Sequence, residues 1–328
     1  MERLTRARLE AILERSRGLR VAVVGDVMLD VYLVGSVSRI SPEAPVPVVH
    51  VTDERFALGG AANVAANVAA LGAECRLVGC VGRDEAGRRI RESLAALEGG
   101  PVRPLLVERG DRPTTTKTRV VARHQQVVRF DRERDDDVAD DCAAELRAAV
   151  REALDGADAL VLEDYNKGVL VPSVIRAALD EAGAAGVPSV VDPKFRHFLG
   201  YAGATVFKPN ALELGAALGT AVRPGDDAWL ENARETVGAR HLLLTLGEEG
   251  MALRSQGAPT FRIPTVARKL VDVSGAGDTV TAFVAVALAA GATMEEAATL
   301  ANLAAGIEVG KPGVAVVTPD ELRAMVGD

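Results

Sequence analysis

The chain has 328 residues and a formal charge of −8, with 48% apolar and only 3% aromatic residues. That length gives one large domain a buried core, and the abundance of Ala, Val, Leu and Gly describes Ala/Leu-rich helices over Val-rich strands, an α/β class. The acidic balance excludes a broad nucleic-acid surface, three cysteines (Cys75, Cys80 and Cys142) offer neither a disulfide framework nor metal-ligand spacing, and the charged N-terminus lacks an apolar signal core.

Residues 3–16 read as an amphipathic helix and Arg20–Gly25 as a short buried strand. Gly25-Asp26 closes that strand, with Asp30 a little further on; a carboxylate there accepts either from sugar hydroxyls or from the amides of a turn that it caps. Val31–Val51 breaks the rhythm, with Ser41-Pro-Glu-Ala-Pro-Val-Pro47 between short β-like pieces. Gly59-Gly60-Ala-Ala-Asn63 is either a backbone approach to a ligand or a glycine turn into helix Ala61–Leu71. Strand Cys75–Cys80 and helix Glu85–Leu97 follow.

Thr114–Phe130 reads as two strands around Arg123-His-Gln-Gln126. Alternation sets Lys117, Arg119 and Arg123 on one face beside Thr115, either as a seat for an anion or as solvated charges that deter edge pairing. Without crossover helices, segments 31–51 and 114–130 form a small antiparallel lid, set aside from the main sheet and suited to pairing two copies. The run Asp131–Asp141 reads as a solvated loop.

Helix Ala139–Leu154, strand Ala159–Leu162, helix Pro172–Ala185, strand Pro188–Val191 and strands at Thr205–Phe207 and His241–Thr245 restore the alternation. The pattern predicts a mainly parallel sheet wound on both faces, with ligands beyond the carboxyl ends of its strands. Asp192-Pro-Lys194 and Lys208-Pro-Asn210 close two of these strands, and Glu213 lies a helical turn on. Lys suits phosphate oxygens, while Asn210 and Glu213 can hold Mg²⁺ directly or through water. Thr245-Leu-Gly247-Glu-Glu-Gly250 is a strand end and turn fit for nucleotide phosphates, or an ordinary loop.

The stretch Leu270–Leu288 concentrates the chemistry. Val271–Val273 can end a strand, Gly275-Ala276-Gly277 turns, and Asp278 opens an apolar helix whose free amides and dipole favour an anion. A carboxylate amid those donors caps the helix, or it takes a proton from a hydroxyl that attacks a phosphoryl group in transit. No Lys follows these glycines as a P-loop needs, and Val280 stands where a dinucleotide fingerprint has its third Gly. The apolar run Ala282–Ala290 is too short for a bilayer, so a soluble, cytoplasmic protein without membrane partners is expected.

Gly59-Gly-Ala-Ala-Asn63 and Asp272-Val-Ser-Gly-Ala-Gly-Asp278 resemble the two signatures of the ribokinase-type (PfkB) sugar kinases, with Ser274 in place of the usual Thr. Gly25–Asp30, Arg39–Val48, Thr114–Arg119 with Arg123–Gln126, and Asp164-Tyr-Asn-Lys-Gly168 are similar to the heptose 7-phosphate kinases within that family. None of the four histidines fits the His-x-Gly-His of the nucleotidyltransferase domain that follows the kinase in bifunctional versions, so the kinase-only form is expected.

The resemblance implies a single ribokinase-like domain over 1–328, a doubly wound, mainly parallel sheet flanked by helices with the antiparallel β lid. It also implies phosphorylation by ATP and Mg²⁺ of the anomeric hydroxyl of D-glycero-β-D-manno-heptose 7-phosphate, with monovalent-cation dependence and a homodimer through the lid as accompaniments. Asp278 would be the base, with the Gly275, Ala276 and Gly277 amides on the phosphoryl group. Asp26, Asp30, Gly59, Gly60, Asn63, Asp164 and Lys167 would face the sugar, and Lys117, Arg119 and Arg123 its phosphate. Asp192, Lys194, Lys208, Asn210, Thr245, Gly247, Gly250, Asn302 and Gly306 would serve the nucleotide, and Glu213 with Asn210 the metal. Glu163 stands where related chains often have a small residue and alters the charge near the acceptor. Another sugar kinase of this fold, a non-catalytic sugar- or nucleotide-binding regulator, and a dehydrogenase are the alternatives, the last opposed by the missing glycine.

Overall fold

The computed structural model describes residues 4–122, 125–267 and 270–326. Helix α1 (Arg6–Ser16) starts where the Thr5 side chain accepts from Arg8 N at 3.2 Å. The Val-rich run Arg20–Gly25 is β1, all of it buried after its first residue. Two long strands follow, β2 (Val27–Ile40) and β3 (Pro47–Gly60). Gly60 ends β3 at φ 56°, ψ −133°, where a Cβ would lie 2.4 Å from the Asp26 carbonyl oxygen, so only glycine turns the chain here into α2 (Ala61–Ala70).

Next come β4 (Glu74–Gly82), α3 (Glu85–Ala95), β5 (Val102–Arg109), β6 (Thr115–Ala122) and β7 (Gln125–Arg132). Alternation resumes with α4 (Asp140–Leu154), β8 (Ala159–Glu163), α5 (Pro172–Ala185), β9 (Ser189–Asp192), β10 (Val206–Phe207), α6 (Ala211–Leu218), α7 (Asp227–Val237) and β11 (His241–Thr245). Short strands β12 (Met251–Ser255) and β13 (Phe261–Ile263) precede α8 (Ala276–Ala289), α9 (Met294–Glu308) and α10 (Pro319–Met325).

The main sheet has nine strands in the order β13-β12-β11-β10-β9-β8-β1-β4-β5, parallel except for the antiparallel pairs at β12. Its faces bury separate cores: Val21 and Val23 of β1 join α1, α2, α8 and α9, while Ala22 and Val24 join α4, α5 and α7. That is the predicted double winding, produced by strict alternation along strands covered on both sides. Sequence periodicity missed β5, whose run Pro104 interrupts; the strand lies at the sheet edge, where a residue without N–H is tolerated. It also missed β12, whose run Met251–Ser255 ends on Arg254 and Ser255, and the three-residue β13. It expected a strand end at Val271–Val273, where the chain is irregular.

The lid is a second sheet in the order β3-β2-β6-β7. It is mixed rather than antiparallel: β2 and β6 run parallel because a whole β4–α3–β5 unit separates them, and only the outer pairs are antiparallel. It also starts earlier than expected, at Val27↔Gly60, which brings Asp30, Gly59 and Gly60 into the base of the lid hairpin. The predicted solvated loop 131–141 is shorter in fact, since β7 runs to Arg132 and α4 begins at Asp140.

Candidate active site

Parallel register lines up the strand ends. Gly25 sits beside Glu163 and Glu163 beside Asp192, while Lys208 directly follows β10. Asp26, Asp164, Asp192 and Lys208 therefore fall in a row beyond the carboxyl edge.

Helix α8 points its first turn at this row. Gly275 is its N-cap at φ 95°, and a Cβ there would lie 2.9 Å from Asn63 Nδ2 and 3.3 Å from Glu308 Oε1. The amides of Gly277 and Asp278 precede the first helical bond, Thr279 N to Gly275 O at 2.9 Å, and are the free donors of that turn among the described residues. The Ala276 amide expected beside them instead donates to Val273 O at 3.4 Å. A methyl group on Gly277 would sit 3.5 Å from Asp192 Oδ2 and 3.6 Å from Lys208 Nζ, so the Asp192–Lys208 ion pair lies directly beside this turn.

Asp278 is 2% exposed. Its Oδ2 accepts from Asn63 Nδ2 at 2.8 Å and its Oδ1 from Tyr165 OH at 2.7 Å. Burial pushes its pKa up to about 6; those two hydrogen bonds pull down, and the Asp192 charge adds to the rise. A buried carboxylate with that affinity for protons is matched to general-base work near neutrality.

Beneath it, Asp192 pairs with the buried Lys208 at 2.7 Å. Burial disfavours the ammonium, but Asp192 and Glu163 outweigh it and raise its pKa. Glu163 is wholly buried, and among the described residues neither carboxylate oxygen meets a hydrogen-bond partner. Burial, then the Asp192 and Asp278 charges, raise its pKa well above the usual range. Oxygens of Glu163, Asp192 and Asp278 lie within 4.8 Å of one another, a hard oxygen set that fits a divalent cation. Glu213 is otherwise engaged: it pairs with Lys194, and its Oε2 accepts from Asn210 N at 2.9 Å in a capping box that begins α6.

On the acceptor side, Asp26 is 1% exposed and gives both oxygens to one loop. Oδ2 accepts from Tyr165 N at 2.7 Å and Lys167 N at 2.9 Å, and Oδ1 from Val169 N at 3.2 Å. Asp164 turns away into the protein, accepting from Tyr201 OH at 2.7 Å and Asn166 N at 2.8 Å. Gly59 backs onto Asp30, which is ion-paired with Arg119 across β2 and β6. Lys117 reaches Asp131 and Glu133, both at 3.3 Å, and Lys167 reaches Glu133 at 2.7 Å. Arg123 lies outside the described residues.

On the other side of the α8 turn opens a cavity of about 600 Å³, lined by Asn210, Thr245, Gly247, Gly250, Asn302 and Gly306, with Ala276 and Gly277 at its edge. Leu270, Val273, Val280 and Val309 supply apolar walls of the kind that hold a flat heterocycle. Six of the nine residues assigned to the nucleotide from sequence thus share one cleft, while Asp192, Lys194 and Lys208 do not line it.

The family model for pfkB carbohydrate kinases matches residues 19–321. The chain belongs to the pfkB carbohydrate kinases. It is therefore an ATP-dependent sugar kinase, and the cavity opens at Ala276 and Gly277, next to Asp278. Bifunctional protein HldE of Caulobacter vibrioides is 48% identical over 94% of the chain and 63% of its own length, and that of Trichlorobacter lovleyi 43% identical over 98% and 66%. The chain thus spans just under two thirds of the curated relatives it matches. In fold it is similar to Arabidopsis thaliana ribokinase complexed with ribose and ATP (TM-score 0.72, 23% identity, 94% and 99% of the two chains). It is likewise similar to Escherichia coli phosphofructokinase-2 (TM-score 0.76, 20% identity, 94% and 98%).

Several side chains of this pfkB kinase site were not picked out from sequence. Tyr165 lies inside a quoted motif, yet nothing in one dimension aims its hydroxyl at a residue 113 positions away. Glu133 was lost in a charged run. Glu308 did leave a signal, as the lone charge in the apolar stretch Ala297–Gly310. It is fully buried beside Gly275, and burial pushes its pKa up to about 8.

Proposed function

We propose that this kinase phosphorylates the anomeric hydroxyl of D-glycero-β-D-manno-heptose 7-phosphate, on the way to ADP-heptose and the lipopolysaccharide core. The observation that carries the reading is a single loop with chemistry at both ends: Tyr165 OH touches the base Asp278, and Lys167 meets Lys117 around one carboxylate. An acceptor with its reactive hydroxyl at one end and a phosphate at the other suits that loop. The matches to HldE proteins support the same reading.

In the reaction, an oxygen of Asp278 takes the proton as the sugar oxygen forms its bond to the γ-phosphorus of ATP. The bond from that phosphorus to the bridging oxygen breaks, and ADP leaves. Amides of Gly277 and Asp278 and the Lys208 ammonium face the equatorial oxygens, where charge is stabilised without reorganisation. Asn63 and Tyr165 hold the base in line. Glu163 and Asp192 would hold Mg²⁺, which would neutralise phosphate charge, whereas Asn210 and Glu213 are committed to the α6 cap. Glu308, both oxygens unpartnered beside Gly275, is the matching candidate for a monovalent cation.

With ATP and Mg²⁺ and a panel of sugars, turnover is expected to be fastest with the heptose 7-phosphate. Preference for fructose 6-phosphate or for an unphosphorylated sugar would overturn the choice of acceptor and leave the kinase intact.

The proposal extends to a cytoplasmic homodimer through the lid. No helix among the described residues is long and apolar enough to cross a membrane. Val51, Val128 and Phe130 on the lid are 44%, 49% and 54% exposed in a chain poor in aromatics, and a second copy would cover them. A sedimentation mass of one chain at micromolar concentration would remove this part.

A further inference from the structure

Three charged groups from separate parts of the chain meet where the lid approaches the loop after β8. Lys117 comes from the lid strand β6, Lys167 from the loop after β8, and Glu133 from just beyond the last β6–β7 pair, Thr116↔Arg132. Glu133 Oε1 lies 2.7 Å from Lys167 Nζ, and its Oε2 lies 3.3 Å from Lys117 Nζ. The side chains are 16% (Lys117), 14% (Lys167) and 25% (Glu133) exposed, so the group is largely withdrawn from water.

We propose that Glu133 is a stand-in for the acceptor's own phosphate, filling the seat between Lys117 and Lys167 until a phosphorylated sugar displaces it. This rests on the acceptor assigned above and makes Glu133 a specificity-determining residue.

Two ammonium groups that converge on one carboxylate from elements far apart in sequence form a two-cation anion seat, not a local surface pair. Glu133 can vacate that seat without breaking a ladder, because it stands outside β7. Its departure does not strip Lys117, which keeps Asp131 at 3.3 Å. A phosphate dianion brings about two charges and three acceptor oxygens against one charge and two oxygens, so it wins the exchange. A sugar hydroxyl carries no charge and loses, leaving the triad shut.

The loop also couples the two ends: Tyr165 N and Lys167 N both donate to Asp26 Oδ2, so one pinned segment carries Tyr165 to Asp278 and Lys167 to the cation seat. The same triad read as a strut, tying lid to loop, predicts the opposite response to losing the carboxylate charge.

The test is calorimetric titration of the full chain with inorganic phosphate and with the heptose 7-phosphate, comparing wild type and Glu133→Gln. The stand-in predicts that the variant binds inorganic phosphate about tenfold more tightly and that KM for the phosphosugar falls by a like factor. Turnover of the unphosphorylated heptose should stay as slow as in wild type, and Lys167→Met should remove phosphate binding in both backgrounds. Unchanged or weaker phosphate binding in Glu133→Gln would overturn the proposal, and a lowered Tm beside it would identify a strut. The phosphate titration needs no turnover, so it separates this inference from the choice of acceptor, which the sugar panel reads.

Discussion

Asp278→Asn should lower kcat by about 10²- to 10⁴-fold while both substrates still bind with dissociation constants near those of wild type. The amide has the same shape and can still accept one hydrogen bond, so the pocket persists while its proton acceptor is gone. The pH dependence supplies an independent reading. A carboxylate whose pKa is pushed up to about 6 is protonated and idle below that pH, so wild-type kcat/KM should climb through about 6 and level off above it. That limb should vanish from whatever activity the variant keeps. A non-catalytic regulator would be indifferent to the change. Single-turnover kinetics with ATP, beside equilibrium binding, decides the matter: a variant within tenfold of wild type would remove Asp278 from the chemistry.

Asp26→Ala should be the most damaging change to stability. It removes the acceptor of three amides at once, partly buried on Tyr165 and Lys167 and buried on Val169. A buried orphaned donor costs roughly 1–3 kcal/mol and a partly buried one less. Losing a carboxylate whose burial pushes its pKa up to about 6 returns part of that, so a net loss of about 1–3 kcal/mol is expected. Molecules that do fold should be poor kinases, because the loop that carries Tyr165 to Asp278 and Lys167 to the lid is no longer clamped. Asp26→Asn keeps one accepting oxygen and should fall between. Chemical denaturation with parallel activity assays reads both effects, and a normal midpoint with normal turnover for the alanine variant would contradict the clamp.

Asp26 also shows where one-dimensional reading stops. That an acid at the end of β1 matters follows from strand-end logic, and the structure does put it at the site. Whether its oxygens serve a ligand or the chain's own amides depends on a loop some 140 residues later, which no local pattern reveals. Strands such as Arg20–Gly25 were legible because burial on both faces forces an unbroken run of Val and Ala. β5 was not, because Pro104 imitates a loop and only edge position excuses it. Asn210 and Glu213 carry an ambiguity of type: oxygen donors spaced for a metal are also spaced for a capping box, and their hydrogen bonds here are those of the cap. The cation face of β6 was visible from alternation, whereas the acids facing Lys117 and Arg119 come from other segments and required the register.

The Asn63–Asp278 hydrogen bond joins residues 215 positions apart. During synthesis the amide of Asn63 emerges early and waits, with no acidic partner, until α8 leaves the ribosome. The Asn63–Asp278 contact thus closes only after the whole main sheet has been made.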